Sequence, residues 1–401
     1  MRFPSGFRAL NLAEFRLFFA AQLVAQTGSW MHSVAQSWLV LQLTNSPLKL
    51  GFIATLSFGP ILLFSLLSGV VADRVPHRTL LLATQTAFAG QALALGLLVW
   101  SGQAVYWHVG ALALLGGFVS ALDGPVRQVF VADLVARDDV VNAVALNSAA
   151  FNGARIIGPA VGGLIIGRFG VVPAFLVNCA GFLVVIAALL ALAARQAPPR
   201  RRAGVLAQIV EGVRYTVRTP PLGTILLVLA VVSWCVFNFS VYVPLLARDV
   251  LHLGAEGFGF LMAALGVGAV IGALTVGTRA REPGVGAMLA LAAVACTMLV
   301  GLASIRSVPP VVALLLVTGF TGIAVTAGCN TALQLRSADS LRGRVMSVYT
   351  LIGSGMFPLS AFTVGAIAQA WGVSVALAIQ GIAGLTALAA IAARRRAVGV
   401  R

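Results

Sequence analysis

The sequence predicts an all-α membrane protein, with twelve transmembrane helices arranged as two pseudo-symmetric six-helix bundles. Three observations carry that prediction. Of the 401 residues, 60% are hydrophobic and only 9% are charged, with a mean hydropathy of +1.00; a soluble domain gives about a quarter of its residues to charge. Apolar stretches long enough to cross about 30 Å of hydrocarbon recur along the chain. The basic residues alternate from one loop to the next, as the positive-inside rule requires of a multi-pass protein.

The spans read, in order, as 15–43, 49–72, 79–101, 106–131, 141–167 and 173–194, then 222–247, 258–278, 285–305, 309–335, 345–370 and 373–393. The first is too long for the apolar core of a cleavable signal, so it is expected to stay as a helix. With twelve spans, the N-terminus, the even-numbered loops and the C-terminus hold 21 of the 27 basic residues. The opposite side holds Lys49, Arg168, Arg248 and Arg306, and Arg127 and Arg155 fall inside spans. That asymmetry places both termini in the cytoplasm. The 43 glycines suit helices that approach closely in lipid.

The longest polar break runs from 195 to 221. It divides the chain into a first bundle at 1–194 and a second at 222–401, joined by a cytoplasmic linker. The linker opens on Arg195-Gln-Ala-Pro-Pro-Arg-Arg-Arg202 and continues as an amphipathic segment expected to lie on the anionic inner leaflet. The halves echo each other: Gly163-Leu-Ile-Ile-Gly-Arg-Phe-Gly170 recurs as Gly365-Ala-Ile-Ala-Gln-Ala-Trp-Gly372 near the ends of spans five and eleven. Duplicated six-helix halves are a transporter habit, with substrate bound between them near the midplane.

Composition also excludes chemistry. The one lysine, Lys49, sits in Ser-Pro-Leu-Lys-Leu, which removes a Walker A loop and makes lysine Schiff-base chemistry a poor fit. Cys179, Cys235, Cys296 and Cys329 lie far apart in apolar runs without metal-ligand spacing, and His32, His77, His108 and His252 are equally scattered. No cofactor, no metal and no nucleic-acid partner is expected. The +16 formal charge is an orientation signal rather than a nucleic-acid patch.

The most specific short signal lies between spans two and three: Gly69-Val-Val-Ala-Asp73-Arg74-Val-Pro76-His77-Arg78. A glycine there lets two helices touch, a carboxylate suits the positive end of a facing helix, and an arginine can grip a carboxylate with two hydrogen bonds. The stretch resembles the loop signature of the major facilitator superfamily, G-x-x-x-D-R/K-x-G-x-R/K, with Pro76 where the family prefers Gly. The resemblance implies the major facilitator fold, alternating access, and a cytoplasmic latch or gate made by Gly69, Asp73, Arg74 and Arg78. Span eleven is the expected facing helix and Asp133 the second carboxylate. Gly158-Pro159-Ala-Val-Gly162-Gly163 in span five is similar to the G-P-x-x-G-G element of the antiporter branch, which points to efflux. Leu122-Asp123-Gly-Pro125-Val-Arg127-Gln128, Leu341-Arg342-Gly343-Arg344-Val345-Met346-Ser347 and Glu211-Gly-Val-Arg214-Tyr look like the bacterial subfamily of enterobactin and macrolide exporters. That implies a bacterial inner-membrane location, a small-molecule substrate and a monomer. An importer of the same fold, or a lipid scramblase, is the alternative.

Ionisable residues inside a span usually face a cavity or one another. Asp123 lies ten residues before Asp133, about 15 Å deeper at 1.5 Å per residue. Arg155 is 14 residues into span five, so the two can share a depth, while Arg127 competes as the partner of Asp123 at i+4. Asp123 is expected to titrate in step with transport, protons being the coupling ion, with Arg127 and Arg155 as electrostatic partners; a permanent ion pair that fixes packing is the alternative. In span one, Gln22, Gln26, Ser29, Ser33 and Gln36 recur at 4, 3, 4 and 3, one face of a helix, flanked by Trp30 and His32. Asn152 in span five, Asn238 in span seven, and Asn330 and Gln334 in span ten add uncharged polar positions. Spans one, four, seven and ten line the cavity in the superfamily the chain resembles, so the residues of spans one, seven and ten suit substrate contact, and Asn152 is grouped with them as a candidate cavity position.

Overall fold

A computed structural model describes residues 5–72, 75–192, 213–216, 219–278, 284–338 and 341–397. No strand occurs among them. A 3-10 turn, Ser5–Asn11, leads into α1 (Ala13–Thr44), α2 (Pro47–Ala72), α3 (His77–Trp100), α4 (Tyr106–Asp133), α5 (Val140–Phe169) and α6 (Val172–Ala191). Then follow α7 (Pro220–Cys235), α8 (Phe239–Leu245), α9 (Ala255–Gly277), α10 (Val285–Ser304), α11 (Val308–Arg336), α12 (Arg342–Trp371) and α13 (Val373–Ala397). Most of the expected linker, with its amphipathic segment, lies outside the described residues; 213–216 are helical.

Eleven helical stretches of the described residues are long and apolar enough to cross a membrane. The remaining expected span, the first, is α1, which is 32 residues long. It stands apart because its glutamines, serines and His32 dilute the apolar residues. The seventh span, expected as one helix, is broken: α7 stops at Cys235, residues 236–238 are non-helical, and α8 continues into a π-helical turn at Leu246–Val250.

The chain divides into two compact units, 1–44 with 59–202, and 45–58 with 203–401. The N-terminal part of α2 therefore belongs with the second unit and its C-terminal part with the first. In the first unit α1 packs on α5 and α6, and α3 on α4 and α6. Its core is built from Phe15 and Phe18 of α1, Leu81 of α3, Val126 and Phe130 of α4, and Val185 and Leu189 of α6. In the second unit α9 pairs with α11 and α10 with α13, while α7 touches α10, α11, α12 and α13.

Local sequence explains the helix ends. α6, α7 and α11 each begin with proline in the first turn, where its missing N–H costs nothing and its fixed φ already suits a helix. α5 and α12 end on Gly170 and Gly372, with φ of +77° and +86°. Only glycine adopts that backbone without strain. These are the closing residues of the two echoing segments, so the internal repeat marks equivalent helix stops in the two units.

Glycine also sets how closely helices meet. A Cβ at Gly268 or Gly272 of α9 would collide with the carbonyl oxygens of Leu316 and Phe320 on α11, and one at Gly319 with that of Leu265. Such a small-xxx-small seam brings two backbones into contact. Within the second unit, Gly51 of α2 meets Ala361 and Gly365 of α12 in the same way. Thr55 Oγ1 donates to the Pro358 carbonyl at 2.8 Å.

Candidate functional site

The membrane-embedded charges gather in the first unit. Asp123, 4% exposed on α4, accepts at Oδ1 from Thr84 Oγ1 at 2.9 Å and from Gln85 Nε2 at 2.7 Å, both on α3. Its Oδ2 faces Arg127 Nη2 at 3.6 Å, one turn further along α4. Both carboxylate oxygens are thus engaged, one by neutral donors and one by a cation. Arg127, at i+4, is an ion-pair partner of Asp123. Arg127 keeps a quarter of its side chain exposed, so the pair opens at its cationic end.

Arg155, 8% exposed, has its guanidinium carbon 5.7 Å from the centre of the Trp30 ring on α1. A cation over an indole face gains about 1 kcal/mol, more when desolvated. The placement follows from the glycines of the G-P-x-x-G-G element. A Cβ at Gly158 would lie 2.5 Å from Trp30 Cβ and 2.7 Å from the Thr27 carbonyl, and one at Gly162 would lie 2.7 Å from Met31 Cγ. The small residues let α5 rest on α1 at this level, and Trp30 fills the space beside Arg155. Phe151, one turn before Arg155, meets the indole edge-on at 5.9 Å.

Register contacts give the levels. Phe18 of α1 and Phe130 of α4 meet at 5.1 Å. Asp123, seven residues before Phe130, and residue 25, seven after Phe18, are each about 10 Å from that layer. The seating of Gly158 against Thr27 and Trp30 brings the Arg155 backbone close to the same level. Asp123 and Arg155 therefore rise from a shared depth, the first reaching toward α3 and the second along α1.

The span-one stripe divides by burial. Gln22 and Gln26 are 2% and 5% exposed, sealed inside the unit in this conformation rather than open to a solute. Ser29, Ser33 and Gln36 are half-buried. Ser29 donates to the Ala25 carbonyl, and Gln36 Oε1 lies 3.2 Å from His32 Nε2. Asn152, half-buried on α5, donates to the Ser148 carbonyl.

Asn238 is fully buried in the second unit and works as a structural knot. Its amide donates to Ser360 Oγ and to the Trp234 carbonyl, which also accepts from Ser360. These bonds satisfy backbone left over where the seventh span breaks, as non-helical chain at membrane depth requires. Asn330 and Gln334 form an i,i+4 pair on α11 at 2.5 Å, half-buried and exposed respectively.

At the other end of the first unit, Gly69 lies in α2, and Asp73 and Arg74 lie outside the described residues. Asp133, expected as the second carboxylate of the latch, has His77 Nδ1 2.8 Å from its Oδ2. Arg78 donates from Nε to the Leu189 carbonyl at 2.7 Å and from Nη2 to the Leu190 carbonyl at 3.0 Å, capping the last turn of α6. The sequence reading missed Thr84, Gln85, His77, Phe151 and Ser360. The adjacent Thr84-Gln85 in an otherwise apolar run was the one signal that could have pointed to an acceptor.

Among the described residues no group of three His, Cys, Asp or Glu could hold a metal ion. Long apolar helices in two units, with polar groups aimed inward at membrane depth, define a multi-pass α-helical membrane transporter. The family model for transmembrane secretion effectors matches residues 4–398. The chain belongs to that family, within the major facilitator superfamily. It is 28% identical over 341 residues to an enterobactin exporter of Shigella boydii serotype 18, covering 84% of this chain and 80% of the relative. The figures for an enterobactin exporter of Escherichia coli O139:H28 are the same. Among solved structures, a mutant of the nucleoside transporter NupG superposes with a TM-score of 0.75 at 10% identity, over 95% of this chain and 98% of that one. A bacterial homolog of the human lysosomal transporter Spinster, inward-facing and occupied, gives 0.71 at 14% identity, over 98% and 96%. The fold is the major facilitator fold, and the chain is a transporter of small molecules rather than an enzyme.

Proposed function

We propose that the protein exports small amphipathic organic molecules, siderophore-like or drug-like, across the bacterial cytoplasmic membrane by alternating access, driven by protons moving inward. The observation that carries this reading is the Asp123 carboxylate, buried on α4 and held by Thr84, Gln85 and Arg127. Protonating it would release Arg127 and leave Thr84 and Gln85 facing a neutral acid, which favours a different packing of α3 against α4. A titratable group whose charge state selects between two packings is what ion coupling needs. The similarity to enterobactin exporters supports the outward direction and the cargo class.

In this reading both termini are cytoplasmic, as the distribution of arginine favours. Gly69, Asp73, Arg74, Arg78 and Asp133 belong to the cytoplasmic gate. Ser29, Ser33, Gln36, Asn152, Asn330 and Gln334 offer hydrogen bonds to cargo, and Gln22, Gln26 and Asn238 join them only if the cycle uncovers them. The test is efflux from liposomes with and without a pH gradient. Asp123→Asn is expected to fold, to bind cargo and to lose acceleration by the gradient. A folded variant whose proton dependence is unchanged overturns the coupling role.

A further inference from the structure

We infer that Cys235 and Cys296 form a redox-sensitive clasp beside the break in the seventh span, which a membrane-soluble oxidant of the organic hydroperoxide class closes as a disulfide. The clasp does not depend on the direction or the coupling of transport. Cys235, 5% exposed, is the last residue of α7, and Cys296, fully buried, lies in α10. The two thiols hydrogen-bond to each other. A Cβ built on Gly384 of α13 would overlap Cys296 Sγ and lie 3.2 Å from Cys235 Sγ, so the space that this glycine leaves open is where the two sulfurs meet. Neither of the other cysteines meets a second thiol among the described residues. Cys329 Sγ lies 3.6 Å from Met288 Sδ and 3.8 Å from the Ile225 carbonyl oxygen, and Cys179 belongs to the first unit.

Depth decides which oxidant can reach the pair. Cys235 is about 22 Å from the start of α7 and Cys296 about 16 Å from the start of α10, at 1.5 Å per residue, so both lie well inside about 30 Å of hydrocarbon. Charged oxidants are kept from that level by the cost of desolvation, whereas an uncharged organic hydroperoxide dissolves there. One thiol takes an oxygen atom from the hydroperoxide, which leaves as the alcohol, and becomes a sulfenic acid. The neighbouring thiol then attacks the sulfenic sulfur, forming the S–S bond and releasing water. The two thiols lose two electrons and the hydroperoxide gains them. From hydrogen-bond contact the sulfurs close by about 2 Å to reach the bonded distance. Because the second thiol is already in contact, it captures the sulfenic acid before further oxidation.

The place of the pair gives the bond its effect. Cys235 adjoins the non-helical residues 236–238, where the seventh span lacks the ladder of hydrogen bonds that stiffens a helix and can therefore bend. On one side this joint is already held by α12, since the Trp234 carbonyl accepts from Asn238 and from Ser360. A bond from Cys235 to Cys296 holds it to α10 as well. Joining residues far apart in sequence also disfavours locally opened states. Oxidation therefore turns a joint into a fixed point, and reduction frees it.

The experiment treats the full-length protein in lipid nanodiscs with cumene hydroperoxide, then maps disulfides by mass spectrometry without reduction and follows amide hydrogen exchange. Wild type is expected to show a linkage between residues 235 and 296, and exchange of the amides at 236–241 is expected to slow by about tenfold, the scale of a modest loss of local opening. Dithiothreitol should restore the original exchange. Cys235→Ser keeps a hydrogen-bonding group of similar size, so it is expected to fold, to form no linkage and to show no slowing. Gly384→Ala, which pushes on both sulfurs, should lower the yield of the linkage. Treated wild type without the linkage overturns the proposal, as does a linkage that leaves exchange at 236–241 unchanged, or slowing that persists in Cys235→Ser. Should a variant not fold, wild type before oxidation, after it and after dithiothreitol decides alone. No proton gradient is present, so failure here is distinct from failure of proton-driven efflux in Asp123→Asn.

Discussion

The first unit buries charge and the second buries backbone. Between α1 and α6 the interior holds Asp123, Arg127 and Arg155, each answered by a hydrogen bond, an ion pair or an aromatic face. Between α7 and α13 the spans hold no comparable charge away from their ends. There the polar groups at depth are peptide groups exposed by the break at 236–238 and gathered by Asn238 and Ser360, while α9 and α11 touch backbone to backbone through Gly268, Gly272 and Gly319. Equivalent helix stops at Gly170 and Gly372 show that the plan is shared. The difference teaches that a duplicated scaffold can keep its mechanics and assign its electrostatics to one half.

The sharpest way to break that comparison is Asp123→Ala. It strands Arg127 and Gln85 at membrane depth, while Thr84 Oγ1 keeps the Leu81 carbonyl at 3.0 Å as an acceptor. Removing one partner of a buried ion pair costs about 3 kcal/mol, toward the low end of the usual range because Arg127 is partly exposed. Thermal unfolding in detergent should show the first unit destabilised by that amount, with Asp123→Asn milder because an amide still accepts from Thr84 and Gln85. A drop below about 1 kcal/mol would mean that the carboxylate is not the hub of the first unit.

The second unit has its own weak point in Gly268→Ala. One added methyl would overlap the Leu316 carbonyl oxygen, so α9 and α11 must separate along the seam. Overpacking of this kind costs about 2 kcal/mol. Gly153→Ala on α5, where an added Cβ meets nothing within 4 Å, is the control and is expected to be neutral or slightly stabilising, since alanine is the better helix former. If the two substitutions behaved alike in thermal unfolding, close backbone contact would not be what holds the second unit.

These cases also show how far sequence reading reaches. Span number and helix ends were legible because hydrophobic length, proline and glycine act locally. The break in the seventh span was not, since Val236-Phe237-Asn238 is apolar enough to pass as helix and the reason it opens, Ser360 bonding the Trp234 carbonyl, sits 126 residues away. Arg155 could be placed at the depth of Asp123 by counting residues. Which way its side chain turns depended on Gly158 admitting Trp30, a packing fact without a periodic signature. The polar face of α1 was visible as a stripe, yet its division into a sealed part at Gln22 and Gln26 and a half-open part from Ser29 onward is set by neighbours the stripe does not name.

The smallest effect, and the one that most sharpens the role of the loop motif, is expected at Arg78. Its two bonds to the Leu189 and Leu190 carbonyls close the last turn of α6, where carbonyls lack helical partners and the dipole end is negative. Arg78→Gln keeps some hydrogen-bonding capacity but loses the charge and the fork, for about 1 kcal/mol. Arg78→Lys, which keeps the charge alone, should recover part of that. Hydrogen exchange decides between a cap and a gate: a capping arginine, once removed, frays the amides near residues 187–192 and leaves α3 protected. If α6 exchanged as in wild type while transport slowed, the side chain would act in the gate, and its two carbonyl bonds would be where it rests between strokes of the cycle.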